Sequence, residues 1–167
     1  MRLRQSGAAR GYGTWRSDVY LLDTNVISES APSKKVVSPE LRHWMDANSD
    51  RLFLSVITVA EIVAGIEKVK RAGHEAKAGR LEEWLATLVH LYARRILPVD
   101  LPVSQALGLL TDQVRARGHD PQMGDLTIAA TARVHGLTVL TRNVWHFQLS
   151  GLVVVNPFEE LPGDSLP

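Results

Sequence analysis

Short apolar runs of strand-forming residues alternate along the chain with longer segments in which apolar residues recur at helical spacing. Short apolar runs between polar residues are typical of buried strands, and spacings of three and four are typical of amphipathic helices. Strands that alternate with helices indicate an α/β fold, with a parallel sheet of about five short strands and helices on both faces. We predict strands at residues 19–22, 51–57, 96–100, 137–141 and 152–155, and helices at 39–48, 58–72, 75–95, 102–117 and 123–135.

Three acidic residues stand at the junctions of these elements. Asp23 ends the first strand, Glu61 lies in the first turn of the helix after the second strand, and Asp125 begins the helix before the fourth strand. Because α/β sheets bind ligands at the carboxyl ends of their strands, we expect all three side chains to project into the space above that edge. Gathered carboxylates repel one another, and a cation such as Mg²⁺ or Mn²⁺ would offset the repulsion.

Each of these acids also has a structural explanation. Asp23 fits the N-cap position of a helix that starts near Val26, and Asp125 fits the favourable interaction of an acid with a helix N-terminus. Thr58 and Glu61 have the spacing of a capping box, in which the glutamate would bind the Thr58 amide. Three acids at the same edge of one sheet nevertheless favour a shared site.

The composition limits the chemistry and the location. The chain has 167 residues, which suffice for one domain with a substantial core. It contains no cysteine, which excludes disulfides, thiolate catalysis and cysteine-based zinc sites and makes the cytoplasm the expected location. No apolar stretch approaches the roughly 18 residues of a membrane span, and the histidines lack the HExxH spacing of zinc hydrolases.

Positive charge is concentrated at the N-terminus. Residues 1–17 contain four arginines and no acid, so the remainder is mildly acidic although the total net charge is +1. We interpret residues 1–17 as a basic disordered tail, residues 18–160 as the domain and residues 161–167 as a C-terminal tail. A mildly acidic domain does not hold nucleic acid by bulk positive charge, so a polyphosphate substrate would need a metal to neutralise its phosphates.

Several of the predicted junctions carry recognisable motifs, in a fixed order along the chain. They are residues 21–29 (LLDTNVISE), 55–62 (SVITVAEI) with Gly65 and Ile66, 125–132 (DLTIAATA), 139–143 (VLTRN) and 154–158 (VVNPF). Together they resemble a PIN domain, most closely the VapC- and FitB-like toxins of bacterial type II toxin–antitoxin modules. The resemblance covers residues 19–160.

The resemblance implies a PIN-like three-layer sandwich and a Mg²⁺- or Mn²⁺-dependent endoribonuclease. Its partners would be an RNA substrate, a second copy of the chain in a homodimer, and a cognate VapB-like antitoxin encoded next to it. Asp23, Glu61 and Asp125 match the three acids of the family. Asp23 and Asp125 would be direct metal ligands, and Glu61 would bind a second metal or orient the attacking water.

Polar residues beside the acids match the family pattern as well. Thr24 and Asn25 follow the first acid and would contact the substrate. Thr141 and Asn143 match the polar group after the fourth strand and would belong to the catalytic site. Arg142 would hold an RNA phosphate or, alternatively, form a surface ion pair.

One segment departs from the family. Many relatives carry a fourth acid after the fourth strand, whereas residues 141–147 contain none, and His146 stands where an aspartate often precedes the phenylalanine. The departure removes support for a second metal site and leaves the three-acid site intact. It also keeps two alternatives open: a catalytically silent PIN-like module whose acidic cleft binds a partner, and a Mg²⁺-dependent phosphohydrolase or DNA nuclease on a similar scaffold.

Overall fold

The structure of the chain is a computed structural model that describes residues 18–32, 38–120, 122–147 and 150–163. The predicted tail at residues 1–17 lies outside the described residues, as do residues 164–167 of the predicted C-terminal tail. The predictions for these two segments therefore stay predictions.

A single parallel sheet forms the centre of the fold. Its strands are β1 Tyr20–Leu22, β2 Leu52–Ser55, β3 Ile96–Leu97, β4 Thr138–Leu140 and β5 Val154–Val155. Their spatial order is β3-β2-β1-β4-β5, and every pairing is parallel. The connections first build the sheet outward from β1 on one side and then cross back to place β4 on its other side. In such sheets ligands bind where the strand order reverses, which here is between β1 and β4.

Helices connect the strands and cover both faces of the sheet. The helices are α1 Thr24–Ile27, α2 Pro39–Ala47, α3 Val56–Arg71, α4 Glu75–Tyr92, α5 Leu101–Arg115, α6 Met123–His135 and α7 Val144–Phe147. Several ends follow from local sequence: the Ser38 hydroxyl accepts from Leu41 N–H at 3.1 Å to cap α2, and Gly136 ends α6 with a φ of 65°. None of the helices in the described part of the chain is long and apolar enough to cross a membrane.

Alternating residues of β1 belong to two separate cores. Leu22 packs into one core with residues of α2, α3 and α4, and Leu21 packs into the other with residues of α5 and α6. Both leucines are fully buried. Because successive side chains of a strand point to opposite faces, this division confirms the predicted three layers and the predicted α/β class.

The predicted helices and strands differ from those of the structure at several places. Helix α3 begins at Val56 rather than Thr58, because Ser55 caps it with a hydroxyl that accepts from Ile57 N–H at 3.3 Å. Helix α7 was not predicted.

Candidate active site

The candidate site lies at the carboxyl ends of β1 and β4, where the strand order reverses. Leu22 of β1 pairs with Leu140 of β4, so Asp23 and Thr141 follow their strands at the same level. The Asp23 backbone N–H donates to the Leu140 carbonyl at 3.0 Å, which fixes the two loops relative to each other.

Asp23 is 4% exposed and accepts three hydrogen bonds. Its Oδ1 accepts from Thr24 N–H at 2.7 Å, which makes Asp23 the N-cap of α1. Its Oδ2 accepts from Asn25 Nδ2 and from Thr141 Oγ1, both at 2.6 Å. Asp23 can therefore both cap α1 and belong to the candidate site, because Oδ1 accepts the capping hydrogen bond and Oδ2 accepts from Asn25 and Thr141.

Thr141 joins the two loops through its fully buried hydroxyl. Besides donating to Asp23, Oγ1 accepts from Asn25 Nδ2 at 3.2 Å and from Asn143 N–H at 3.0 Å. A hydroxyl has one donor and two acceptor positions, so all its capacity is used. Asn25 completes the network by accepting from Arg142 N–H at 3.1 Å. Asn143 contributes its backbone here, and the predicted role of its exposed side chain stays a prediction.

Glu61 lies one turn further along α3 than the capping-box interpretation places it. The Thr58 hydroxyl is buried within α3 and has no hydrogen-bond partner among the described residues, so the predicted capping box is wrong. Glu61 Oε2 instead accepts a hydrogen bond from Thr24 Oγ1. The contact brings α3 to the loop after β1, and it places this carboxylate beside Asp23.

Asp125 lies in the first turn of α6, close to the same space. A Cβ atom added at Gly124, the preceding residue, would collide with the Glu61 carboxylate, so the backbone of α6 approaches Glu61 closely. Asp125 Oδ2 contacts Nδ1 of His146, which lies in α7. This contact was missed from the sequence, although His146 was recognised as standing at the position of a fourth acid.

The three carboxylates interact electrostatically. Burial raises the pKa of Asp23, and the charge of Asp125 raises it further. Burial also raises the pKa of Glu61, with smaller contributions from the charges of Asp23 and Asp125. Within the described part of the chain, the groups that lower these two pKa values are hydroxyl, amide and backbone donors rather than cations. Among the described residues, therefore, no neighbouring cation offsets the effect of burial and of the other carboxylates on the pKa values of Asp23 and Glu61.

The chemistry of these side chains fits a hard divalent cation. Their donor atoms are carboxylate oxygens, which suit Mg²⁺ and Mn²⁺. In residues 18–32, 38–120, 122–147 and 150–163, however, no three His, Cys, Asp or Glu side chains are placed closely enough to hold a metal ion as they stand. A cation bound here would take only part of its coordination from the protein, as Mg²⁺ commonly does, and the remainder from water and substrate oxygens.

Arg142 makes the ion pair that the sequence left as an alternative. Its guanidinium is 3.4 Å from Oε1 of Glu29, which is only 2% exposed, and it lies 3.9 Å from the ring centre of Phe158. Glu29 belongs to the motif at residues 21–29 and was not assigned a role from the sequence. The predicted contact of Arg142 with RNA phosphate is untested, and it would have to coexist with this pair.

A family model described as the PIN domain matches residues 20–145, which confirms the resemblance seen in the sequence. The match includes all three acids and ends immediately before His146. Among curated proteins, the chain is similar to "Toxin FitB" of Neisseria gonorrhoeae, with 37% identity over 149 residues that cover 84% of this chain and 99% of the relative. It is also similar to "VapC ribonuclease Y4jK" of Sinorhizobium fredii, with 37% identity over 145 residues, 83% of this chain and 97% of the relative.

Solved structures show the same similarity in three dimensions. The crystal structure of FitAcB from Neisseria gonorrhoeae superposes with a TM-score of 0.74 at 34% identity, covering 84% of this chain and 99% of that chain. The sequence and the structure therefore indicate the same family.

Proposed function

The chain belongs to the PIN-domain family, and on that basis we propose that it is a divalent-metal-dependent endoribonuclease that acts as the toxin of a toxin–antitoxin module. The observation that carries the proposal is the cluster of Asp23, Glu61 and Asp125 at the reversal point of the sheet, where burial and the neighbouring carboxylates raise the pKa values of Asp23 and Glu61. The names of the relatives, a VapC ribonuclease and a toxin, support RNA as the substrate and toxicity as the outcome.

Asp23 and Asp125 are the proposed direct ligands of Mg²⁺ or Mn²⁺, and Glu61 orients the attacking water or binds a second ion. The chemistry that a divalent ion would supply when held by these residues is to lower the pKa of a water molecule and to offset charge on the leaving oxygen of the phosphodiester. The protein contributes orientation: Thr141 and Asn25 hold Asp23, and the Thr24 hydroxyl holds Glu61. Asn143 and Arg142 lie on the same loop and are proposed to face the RNA backbone.

The proposed protein partner is a VapB-like antitoxin encoded next to the toxin gene. The relative FitB is named a toxin, and related structures at 34–35% identity are titled FitAcB and FitAB bound to a DNA fragment. The proposed assembly also contains a homodimer of this chain and acts in the cytoplasm, where RNA is available.

A cleavage assay with purified protein tests the enzymatic proposal. We expect cleavage of RNA in the presence of Mg²⁺ or Mn²⁺, loss of cleavage on adding EDTA, and recovery when the ion is returned in excess. Cleavage that continues undiminished in EDTA would exclude the metal-dependent mechanism. A folded protein that cleaves no RNA but binds a basic protein partner through its acidic cleft would instead support the catalytically silent binding module.

A growth assay tests the biological proposal. Expression of the chain alone should arrest bacterial growth, and co-expression of the product of the neighbouring small reading frame should restore it. The Asp125→Asn variant is the control, because it removes a proposed ligand while its amide oxygen can still accept from His146. Arrest by this variant at the wild-type level would show that toxicity does not depend on the site.

A further inference from the structure

His146 is connected to the acid cluster through a single contact. Its Nδ1 meets Oδ2 of Asp125, and the two side chains are 17% and 19% exposed, respectively. An ionised carboxylate can only accept, so the shared proton belongs to Nδ1 of the imidazole. The Trp145 indole lies edge-on against the same imidazole and packs beside it. His146 is therefore a hydrogen-bond donor to Asp125.

The contact leaves the other oxygen of Asp125 available. Among the residues that the structure describes, Oδ1 of Asp125 accepts no hydrogen bond. A carboxylate with one oxygen held and the other open is oriented to bind a cation through a single oxygen. Asp23 differs from Asp125, because its Oδ2 accepts from Thr141 and Asn25 and its Oδ1 accepts from Thr24 N–H.

The three acids have one feature in common, which is that each accepts a hydrogen bond from a donor side chain on a different element. Asp23 accepts from Thr141 after β4, Glu61 accepts from Thr24 at the start of α1, and Asp125 accepts from His146 in α7. Donors of this kind orient the carboxylates that ligate metals, and their removal typically costs ~10–100-fold in metal affinity.

We propose that His146 is a positioning residue that holds Asp125 for a divalent cation and limits the RNA-free protein to one tightly bound ion. The proposal rests on the metal-dependent function proposed above. The segment 141–147 contains no acidic residue, so His146 supplies a donor where an aspartate would add negative charge and further ligand oxygens. One or two carboxylates are enough for one divalent ion that takes its other ligands from water, whereas a second ion held without substrate would need more oxygens.

Binding of Mn²⁺ to the metal-free, RNA-free protein tests the proposal without using activity. Electron paramagnetic resonance of free Mn²⁺ gives both the number of ions bound and their dissociation constants. We expect one tight ion in the wild type. Absence of any Mn²⁺ binding by the wild type would overturn the metal-dependent function itself, whereas the variants below test His146 separately.

Two variants distinguish the effect of the His146 hydrogen-bond donor from the effect of its aromatic ring. His146→Phe keeps an aromatic ring beside Trp145 and removes the donor, and we expect Mn²⁺ to bind ~10–100-fold more weakly. His146→Asn keeps a side-chain N–H donor, and we expect it to bind Mn²⁺ much more tightly than the phenylalanine variant. Wild-type affinity in His146→Phe would overturn the positioning role. The matched control is His90→Phe, which replaces an exposed histidine on α4 and should leave Mn²⁺ affinity unchanged.

A third variant tests the limit of one ion. His146→Asp replaces the donor with a carboxylate, and we expect it to bind a second Mn²⁺ ion. A single ion in this variant would overturn that part of the proposal. Nitrogen hyperfine coupling from His146 to Mn²⁺ in the wild type would also overturn it, because the imidazole would then be a direct ligand.

A measurement on the wild type alone covers the case in which His146→Phe does not fold. Long-range proton–nitrogen correlation spectra of the metal-free protein, recorded at one pH, identify which ring nitrogen of His146 carries hydrogen. We expect Nδ1 of His146 to be protonated. An Nδ1 without hydrogen would overturn the proposal, because it could not donate to Asp125.

Discussion

The two halves of the acid cluster are held in different ways. Asp23 is 4% exposed and accepts three hydrogen bonds from residues in the loops after β1 and β4. Glu61 and Asp125 lie on helices, and each accepts from one donor side chain, Thr24 and His146 respectively. The sheet edge thus fixes the first carboxylate in several directions, whereas single contacts between elements orient the other two.

This difference in hydrogen bonding predicts which substitutions will lower the stability of the fold and which will mainly weaken cation binding. A buried acceptor with three donors cannot lose its charge or its geometry without leaving some of those donors unsatisfied, which costs stability. A more exposed carboxylate with one donor can be changed at little cost to folding, although its position relative to a cation still affects binding. We therefore expect substitutions at the sheet edge to affect both folding and activity, and those on the helices to affect mainly activity.

The largest effect is expected for Asp23→Asn. An asparagine has one acceptor oxygen, so it cannot accept both from Thr24 N–H and from the Thr141 and Asn25 donors. We expect RNA cleavage to fall by at least about a hundredfold, the scale of one positioned catalytic group. We also expect the free energy of unfolding to fall by about 1–3 kcal/mol, measured by chemical denaturation of the metal-free protein.

The effects of Asp23→Asn on activity and stability should be compared with those of Asp125→Asn. Asp125→Asn should lose comparable activity but little stability, because its amide oxygen still accepts from His146. Equal losses of stability in the two variants would contradict the distinction between the halves of the cluster.

Glu61→Gln should lose activity without losing stability. The glutamine oxygen can accept from the Thr24 hydroxyl, and the change removes a charge that the neighbouring acids oppose. We expect cleavage to fall by about a hundredfold, with near-normal melting of the metal-free protein. Glu67→Gln on the exposed side of the same helix is the control and should cleave RNA normally. Normal cleavage by Glu61→Gln would leave this residue without a catalytic role.

The residues at the sheet edge could be predicted from the sequence because they adjoin the strands that define the edge. An apolar run followed by Asp23, and another followed by Thr141, specify the end of each strand. The order of the motifs along the chain then places the two ends in one fold. Local signals thus sufficed for the half of the site that the central strands build directly.

The contacts of Glu61 and Asp125, the two acids on helices, could not be derived from local sequence signals. The spacing of Thr58 and Glu61 satisfies the capping-box pattern, but Ser55 caps the helix one turn earlier, and Thr58 is buried. Nothing near Asp125 in the sequence indicates that it contacts His146, because 21 residues separate them and the contact depends on how α6 and α7 pack. Contacts between distant elements were therefore the part that sequence patterns missed.

A moderate effect is expected for Thr141→Val, which keeps the shape of the side chain and removes its hydroxyl. The change leaves Asp23 without one donor, leaves Asn143 N–H without its acceptor, and leaves Asn25 Nδ2 with Asp23 as its remaining acceptor. We expect a loss of about 1–3 kcal/mol in the free energy of unfolding and weaker Mn²⁺ binding, measured on the same samples. Thr131→Val is the matched control, because Thr131 is also fully buried but its hydroxyl donates to a carbonyl within α6. Unchanged Mn²⁺ affinity in Thr141→Val would show that its hydrogen bond does not orient Asp23.

The smallest effect is expected from pH. The pKa values of Asp23 and Glu61 are raised above their ordinary values of 3.8 and 4.5, mainly by burial. The folded state therefore binds more protons than the unfolded state between the ordinary and the raised values, so this contribution to stability is lost as pH rises through that interval. We expect Glu61→Gln to show a smaller fall in unfolding free energy than the wild type as pH rises above the ordinary glutamate value of 4.5, measured by denaturation without metal. Saturating Mn²⁺ should oppose the fall, because the ion binds the ionised carboxylates of the folded state. A wild-type slope in Glu61→Gln would show that this carboxylate is not destabilised by its neighbours, and the electrostatic coupling between the two halves of the cluster would then be confined to Asp23 and Asp125.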